Sequence, residues 1–184
     1  LLKKLKQAFP KTKLLQTFGT SETGISKASS RSSSSLDFKL DPLISKYKIV
    51  NGELWLKSKT QIMGYLNASM SSFTENDWFK TGDLVEERND GYIRIKGRSK
   101  DIINVGGEKV LPIEVESVVL ELKEVHDCLA YGQKNAITGQ IVAVQVVLKQ
   151  DINPRVAKSL IRNHCKTQLD TYKVPIKIEF VHKV

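Results

Sequence analysis

Four short stretches of this chain carry residues fit for chemistry, and each contains a glycine beside a charge, a hydroxyl or a second glycine. Lys80-Thr81-Gly82-Asp83-Leu84 places a carboxylate at a glycine turn, just ahead of the apolar pair Leu84 and Val85. An ionised carboxylate only accepts hydrogen bonds, and its two oxygens suit two neighbouring sugar hydroxyls. The competing reading is a turn Asp that bonds its own backbone. Further on, Gly97-Arg98 sets a permanent cation after a flexible residue. Its planar fork fits sugar oxygens and a phosphate that gains charge during transfer, or an ion pair of little energetic worth at the surface. The third stretch, Gly19-Thr20-Ser21-Glu22-Thr23-Gly24, is a glycine-bounded loop of hydroxyls with one carboxylate. Such a loop can aim amides and hydroxyls at phosphate while Glu22 holds Mg²⁺, although any turn uses the same residue types. The fourth, Gly106-Gly107, reads as a hairpin turn.

These stretches need elements to position them. Leu2, Leu5 and Phe9 with lysines between them predict a short amphipathic helix that Pro10 stops. Lys13–Phe18 is expected as a short buried strand running into the hydroxyl loop. Ser29–Ser35 is low in complexity; it lacks the glycines and the lysine of a phosphate loop, and is read as a mobile connection. Tyr47–Val50, the Asn51-Gly52 turn and Glu53–Lys57 form a hairpin signal. Strands are expected at Met63–Leu66, Trp78–Lys80, Leu84–Glu87 and Tyr92–Lys96, with Asp90-Gly91 turning the last pair. Closely spaced short strands suggest a small barrel or curled sheet.

After Gly97–Lys100 the pattern changes. Ile102–Val105 and Lys109–Leu111 flank Gly106-Gly107, and Pro112 suits the first turn of a helix. The repeat of Val115, Val118, Val119 and Leu122 gives that helix one apolar face. Val125–Tyr131 and Ile141–Leu148 are strands, the second continuously apolar and so buried on both faces. Asn153 caps and Pro154 opens a second helix with Ala157, Leu160, Ile161, His164 and Cys165 inward. Ile176, Ile178 and Phe180 alternate along a last strand. The fold class expected is α+β: a small β-barrel-like part followed by a compact α+β module of helices on one sheet.

Composition narrows the function. Among 184 residues, 40% are hydrophobic, enough for a core in one or two domains. No run nears a membrane span, and no leader pattern precedes the fold. Cys128 and Cys165 suit neither a zinc site nor a disulfide framework, which points to a reduced cytoplasmic setting. His164 and Cys165, adjacent on a helix, are read as core residues, and no Ser/His/Asp relation is evident. The net charge of +9 and Lys3, Lys4, Lys6, Lys11 and Lys13 raise nucleic-acid binding as a question. The dispersed lysines and the lack of an interleaved aromatic stripe argue against it and favour a solvated surface or attraction to anionic nucleotide and coenzyme substrates.

Taken in order, Phe18-Gly19-Thr20-Ser21-Glu22, GELWLKSKTQIMGYLN, Lys80–Leu84, Gly97-Arg98 and Gly106-Gly107 resemble the core motifs of the adenylate-forming ligases. These comprise acyl- and aryl-CoA synthetases, peptide-synthetase adenylation domains and luciferase, and the resemblance is to their last third or so. It implies that residues 1–97 are the end of a large AMP-binding domain and residues 98–184 a small mobile C-terminal domain. It implies ATP, Mg²⁺ and coenzyme A or phosphopantetheine as cofactors, with a carboxylic acid and coenzyme A or an acyl carrier protein as partners. Phe18 would stack on adenine, Gly19, Thr20 and Ser21 would line the adenylate phosphate, and Glu22 would bind Mg²⁺. Ser21 stands where the family usually has Thr, which keeps the hydroxyl. Asp83 and Arg98 would hold the ribose, Arg98 with a catalytic role beside Glu22. Lys100 would be the hinge, and Gly106 and Gly107 would line the pantetheine tunnel. The family's phosphate loop is expected before residue 1 and its Gly-Lys motif after residue 184. The chain alone is therefore not expected to catalyse, and Lys183 is not assigned that role. The reading is a part of an ATP-dependent acid–thiol ligase. Its rival is a non-enzymatic basic α/β module that binds nucleotide, RNA or a carrier domain.

Overall fold

A computed structural model describes residues 2–15, 17–26, 28–32, 35–149 and 152–184. The chain forms two compact units, Leu1–Ser99 and Lys100–Val184, and its class is α+β. The first unit opens with α1 (Leu2–Ala8) and the short hairpin β1 (Phe18–Thr20) and β2 (Gly24–Ser26). Then come β3 (Ala28–Ser30), β4 (Phe38–Leu40), β5 (Ser45–Val50), β6 (Glu53–Ser58), β7 (Phe79–Glu87) and β8 (Ile93–Arg98). They make one antiparallel sheet in the order β3-β4-β8-β7-β6-β5. Asn51 and Gly52, at φ 52° and 81°, give the β5–β6 turn the left-handed pair that matches strand twist. Register shifts between Glu53 and Trp55, and between Leu84 and Val85, interrupt the ladder on both sides of β7; bulges of this kind bend a sheet and curl it. Alternating residues of these strands, Phe38, Leu54, Leu56, Val85 and Ile93, close over Phe18 as the core. Each fully buried side chain of this size contributes about 1.5–3 kcal/mol.

The second unit contains β9 (Ile103–Val105), β10 (Glu108–Val110), α2 (Pro112–Val119), β11 (Val125–Asn135), β12 (Gly139–Leu148), α3 (Pro154–Gln168) and β13 (Lys177–Phe180). The long β11–β12 hairpin is the spine: β13 runs parallel to β12, and β9 meets β12 at Gly139. Val142, Val144 and Val146 are buried there with Ile103, Ile161 and Ile178. Pro112 starts α2 without needing an amide partner, and Asn153 Oδ1 accepts the Arg155 N–H at 2.9 Å to cap α3. Both cysteines are free and buried. Burial pushes the Cys128 thiol up to about 12 and the Cys165 thiol to about 11, so they serve as small apolar side chains.

Several expected elements are different. Of the strand expected over Lys13–Phe18, the described residues pair only from Phe18, and Leu15 is exposed; Gln16 lies outside the described residues. Met63–Leu66 is irregular, with both ends fully exposed. Trp78–Lys80 and Leu84–Glu87 merge into the single strand β7, and the expected Thr-Gly-Asp turn is a bulge within it. Ser29 and Ser30, read as part of a mobile connection, pair with β4; Ser33 and Ser34 lie outside the described residues. In the second unit Ile176 is exposed, because β13 starts one residue later.

Asp37 and Arg31 pin the far edge of the curled sheet. Arg94 Nε lies 2.6 Å from buried Asp37, and Arg31 Nε lies 3.4 Å from it. Arg31 also reaches Asp90 at 2.7 Å and covers the Tyr92 ring. The Arg94 hydrogen bond holds the Asp37 carboxyl below its ordinary value against the opposing effect of burial. A depressed folded pKa means stability that is complete above the unfolded value and lost as pH falls through the folded one. Asp37→Asn is expected to cost about 1–3 kcal/mol at neutral pH, with the gap to wild type closing in acid. Denaturant unfolding read by Trp55 and Trp78, both in this unit, measures it. A gap independent of pH would contradict the ionic account.

Candidate functional site

The bulge at Gly82 is the best-defined chemical feature of the first unit. Gly82 has φ 73°, a conformation that costs other residues about 1–2 kcal/mol. Three consecutive residues at the tip of the β5–β6 hairpin hold it. Gly52 O accepts the Val85 N–H at 2.8 Å, Glu53 Oε1 accepts the Gly82 N–H at 2.8 Å, and Leu54 O accepts the Thr81 hydroxyl at 2.7 Å. The Thr81 hydroxyl in turn accepts the Asp83 N–H at 3.0 Å. Thr81 and Asp83 are each 5% exposed, on the strand face that also buries Phe79 and Val85.

Asp83 sits opposite Arg98 in the β7–β8 register. Arg98 Nε is 2.8 Å from Asp83 Oδ1, and another guanidinium N–H donates to Thr81 O at 3.1 Å. The carboxylate is thus engaged by the cation through Oδ1, and the Thr81 side chain also hydrogen-bonds it. Burial raises the carboxyl above its ordinary pKa; Arg98 pulls it back, the Glu53 charge pushes it up, and the Thr81 bond lowers it. The half-exposed Arg98 fork and the Asp83 carboxylate together make a donor–acceptor pair of the type that can read vicinal hydroxyls.

The hydroxyl loop forms a separate cluster. Gly19 is required by a close approach, since a Cβ there would lie 2.8 Å from Gly24 O. Thr20 and Thr23 hydroxyls are 3.0 Å apart, and the wholly buried Thr23 gives its carbonyl to the Thr60 hydroxyl at 2.7 Å. The chain after β6 straps the loop: Ile62 N donates to Glu22 O at 2.9 Å, and the Tyr65 hydroxyl donates to Glu22 Oε1 at 2.9 Å. Burial, then the bond to Glu22, raises the Tyr65 phenol. Glu22 Oε2 has no protein partner among the described contacts, and Ser21 is exposed. Phe18 is placed differently from the expectation. Its ring stacks on Phe38 at 5.3 Å and is only 7% exposed, so it offers a base an edge at most.

Lys100 is exposed in a short turn, Ser99–Asp101, where the first unit ends and the second begins. Gly106 and Gly107 belong to the second unit, at φ 60° and 96°. The turn's backbone is what requires glycine: a Cβ on Gly107 would meet nothing, and one on Gly106 only Thr138 at 3.9 Å. A shallow, open cleft of about 660 Å³ beside Gly107 is lined by Asn104, Lys134, Asn135, Thr138 and Gln140 together with Ala136 and Gly139, and the Asn135 and Gln140 side-chain oxygens are bonded within it.

Sequence reading missed the supports: Glu53, Thr81, Thr60, Tyr65 and Thr23. Their only signal was proximity to the motifs, since hairpin register decides which of them face inward. Register also makes an aromatic–cation row that the sequence hid. Lys48 lies 4.8 Å from the Trp55 ring and 4.5 Å from the Trp78 ring, so lysine covers ring surface that a base would need. Among the described residues no helix is long and apolar enough to cross a membrane.

Residues 114–184 match the family model described as AMP-binding enzyme C-terminal domain. A long-chain-fatty-acid–CoA ligase of Haemophilus influenzae is 37% identical over 131 residues, covering 70% of this chain and 23% of that protein. The 2,3-dihydroxybenzoate-AMP ligase of Bacillus subtilis is 37% identical over 135 residues, covering 71% and 24%. The chain spans about a quarter of the length of these curated relatives. In fold it is similar to o-succinylbenzoate CoA synthetase of Bacillus subtilis in complex with its acyl-adenylate intermediate. That likeness has a TM-score of 0.78 at 24% identity and covers 100% of this chain and 40% of the other.

The ion pair makes a checkable claim. Asp83 binds its proton more tightly folded than unfolded, so its contribution to stability is complete below the unfolded pKa and lost as pH rises through the folded one. Arg98→Ala is expected to raise the Asp83 titration midpoint further and to destabilise the first unit at neutral pH, with partial recovery in acid. Carboxyl ¹³C titration reads the midpoint. A midpoint equal to that of wild type would show that Arg98 does not govern Asp83.

Proposed function

We propose, for a chain that belongs to the adenylate-forming (AMP-binding) ligases and matches their C-terminal part, a role in an AMP-forming acid–thiol ligase. In the first half-reaction a carboxylate oxygen attacks the α-phosphorus of ATP, and pyrophosphate leaves. In the second, a thiolate of coenzyme A or of a carrier protein's pantetheine attacks the acyl carbon, and AMP leaves. The observation that carries this reading is the Asp83–Arg98 pair, an anion and a cation 2.8 Å apart at a bulge three hairpin residues clamp. In this reading the Asp83 carboxylate accepts from the ribose hydroxyls. Arg98 donates to ribose oxygen and to the α-phosphate as it gains charge. Thr20 and Ser21 supply hydroxyls to the phosphate, Gly19 lets the loop pass close to its partner strand, and Phe18 bounds the adenine by its edge.

Glu22 fits Mg²⁺ on its donor chemistry: a carboxylate with one oxygen free of protein partners is what the ion combines with phosphate and water oxygens. When bound, the ion supplies neutralising charge on the phosphate oxygens. Neither half-reaction needs a nucleophile from the protein, and positioning with electrostatics supplies the catalysis. The first unit is read as the end of a large AMP-binding domain, its curled sheet as a barrel-like part. The second is read as the small C-terminal domain, joined at Lys100. The polar cleft beside Gly107 suits the amide-rich pantetheine arm.

Two experiments test this. Calorimetric titration of the chain with a non-hydrolysable acyl-adenylate and with single-stranded RNA is expected to give binding only to the adenylate. RNA binding alone would favour a basic nucleic-acid module. In a full-length acyl-CoA ligase carrying this chain as its C-terminal part, Lys100→Pro would fix φ near −65° and restrict Ser99. Pyrophosphate exchange and thioester yield should then uncouple, one persisting while the other collapses. Equal loss of both, or no loss, would contradict the hinge role.

A further inference from the structure

The geometry points to Glu53 as a positioning residue: its carboxylate takes the place of the missing ladder acceptor at Gly82 and so aims Asp83 at its ligand. This inference rests on the reading of Asp83 as the ribose acceptor.

The argument starts from the ladder. In a regular antiparallel pair, each inward-facing amide of β7 finds a carbonyl on β6. Here the β6–β7 register shifts between Glu53, opposite Leu84, and Trp55, opposite Lys80, so that Thr81–Asp83 bulge from the ladder. The Gly82 N–H, turned by its φ of 73°, is left without that carbonyl. An amide left without a partner costs up to about 1–3 kcal/mol when buried; at partly buried Gly82, Glu53 Oε1 supplies the partner at 2.8 Å. Its neighbours act in the same direction, Gly52 through its carbonyl on the Val85 amide and Leu54 through its carbonyl on the Thr81 hydroxyl. Glu53 alone among the three does so with a side chain, so it alone can be altered without changing the backbone.

A carboxylate is a costly choice for this position if hydrogen bonding were its whole role. Asp83 is buried nearby and the two negative charges oppose each other. The neutral isostere would accept the same amide without that repulsion. Charge at Glu53 therefore has a second effect, making Asp83 a stronger acceptor toward hydroxyl donors and holding it dependent on Arg98. The two effects separate in two variants. Glu53→Gln keeps an oxygen for the Gly82 amide and removes the charge; Glu53→Ala removes both.

The test uses the 184-residue chain, isotopically labelled, with AMP as the probe. In Glu53→Ala, the Gly82 amide is expected to exchange faster and AMP to bind more weakly, each on the order of tenfold. In Glu53→Gln, Gly82 exchange should stay near wild type while the Asp83 titration midpoint falls. A glutamate whose charge did not reach Asp83 would leave that midpoint where it is in wild type, with the fold retained. Wild-type Gly82 exchange in Glu53→Ala, or an unmoved Asp83 midpoint in Glu53→Gln, overturns the inference. If Glu53→Ala unfolds the first unit, as tryptophan fluorescence would reveal, the Glu53→Gln midpoint decides. Failure of the ribose reading is visible separately, as AMP affinity that is the same in Asp83→Ala and wild type. Gly82 exchange and the Asp83 midpoint judge Glu53 in either case.

Discussion

Much of the first unit's chemistry depends on one short contact, the ion pair between Asp83 and Arg98 at a break in the β7–β8 ladder. Burying a carboxylate is unfavourable unless a cation and hydrogen bonds compensate. Both are present: a guanidinium on the facing strand, and a backbone amide tied to a neighbouring hydroxyl. The compensation is partial, since the carboxyl still sits above its ordinary pKa. In the proposed role, this carboxylate exchanges protein contacts for ligand contacts. Arg98, half in solvent, can turn its remaining donors outward without leaving Asp83.

The curled sheet is what makes the pair possible. A bulge re-aims a side chain within a strand that must otherwise alternate. Gly82 supplies the required φ, and the β5–β6 hairpin tip grips the bulge on both sides. Beneath it, Phe38, Leu54 and Ile93 are wholly buried, so the backbone around the pair has little room to relax. The hydroxyl loop is strapped in a different way, by the irregular chain after β6 through Thr60, Ile62 and Tyr65. The two clusters share β6 and its continuation as support, and no described hydrogen bond or ion pair joins them.

Much of this was legible in the residues. The Asn-Gly turn fixed the β5–β6 hairpin because its φ values admit few other sequences. Pro112 and Asn153 marked both long helices by the chemistry of helix starts. The candidate residues themselves were visible, Asp83 and Arg98 as charges beside glycines and Glu22 as the carboxylate of a glycine-bounded loop. What stayed hidden depends on contacts distant in sequence. A glycine between Thr81 and Asp83 looks like a turn until the partner strand is known, and only the register reveals a bulge. The sequence predicts a buried Phe18 but not the Phe38 ring stacked against it. Met63–Leu66 has a strand's composition but no strand beside it, so it remains irregular.

The central claim is that Asp83 and Arg98 recognise the vicinal hydroxyls of a ribose. It is tested most directly by titrating the chain with AMP and with 2′,3′-dideoxy-AMP while following the Arg98 side-chain and Asp83 carboxyl resonances. The account predicts that AMP shifts both resonances and that the dideoxy nucleotide binds at least tenfold more weakly, on the order expected for lost hydrogen bonds to charged groups. Equal affinity for the two nucleotides, with neither resonance moved, would contradict it.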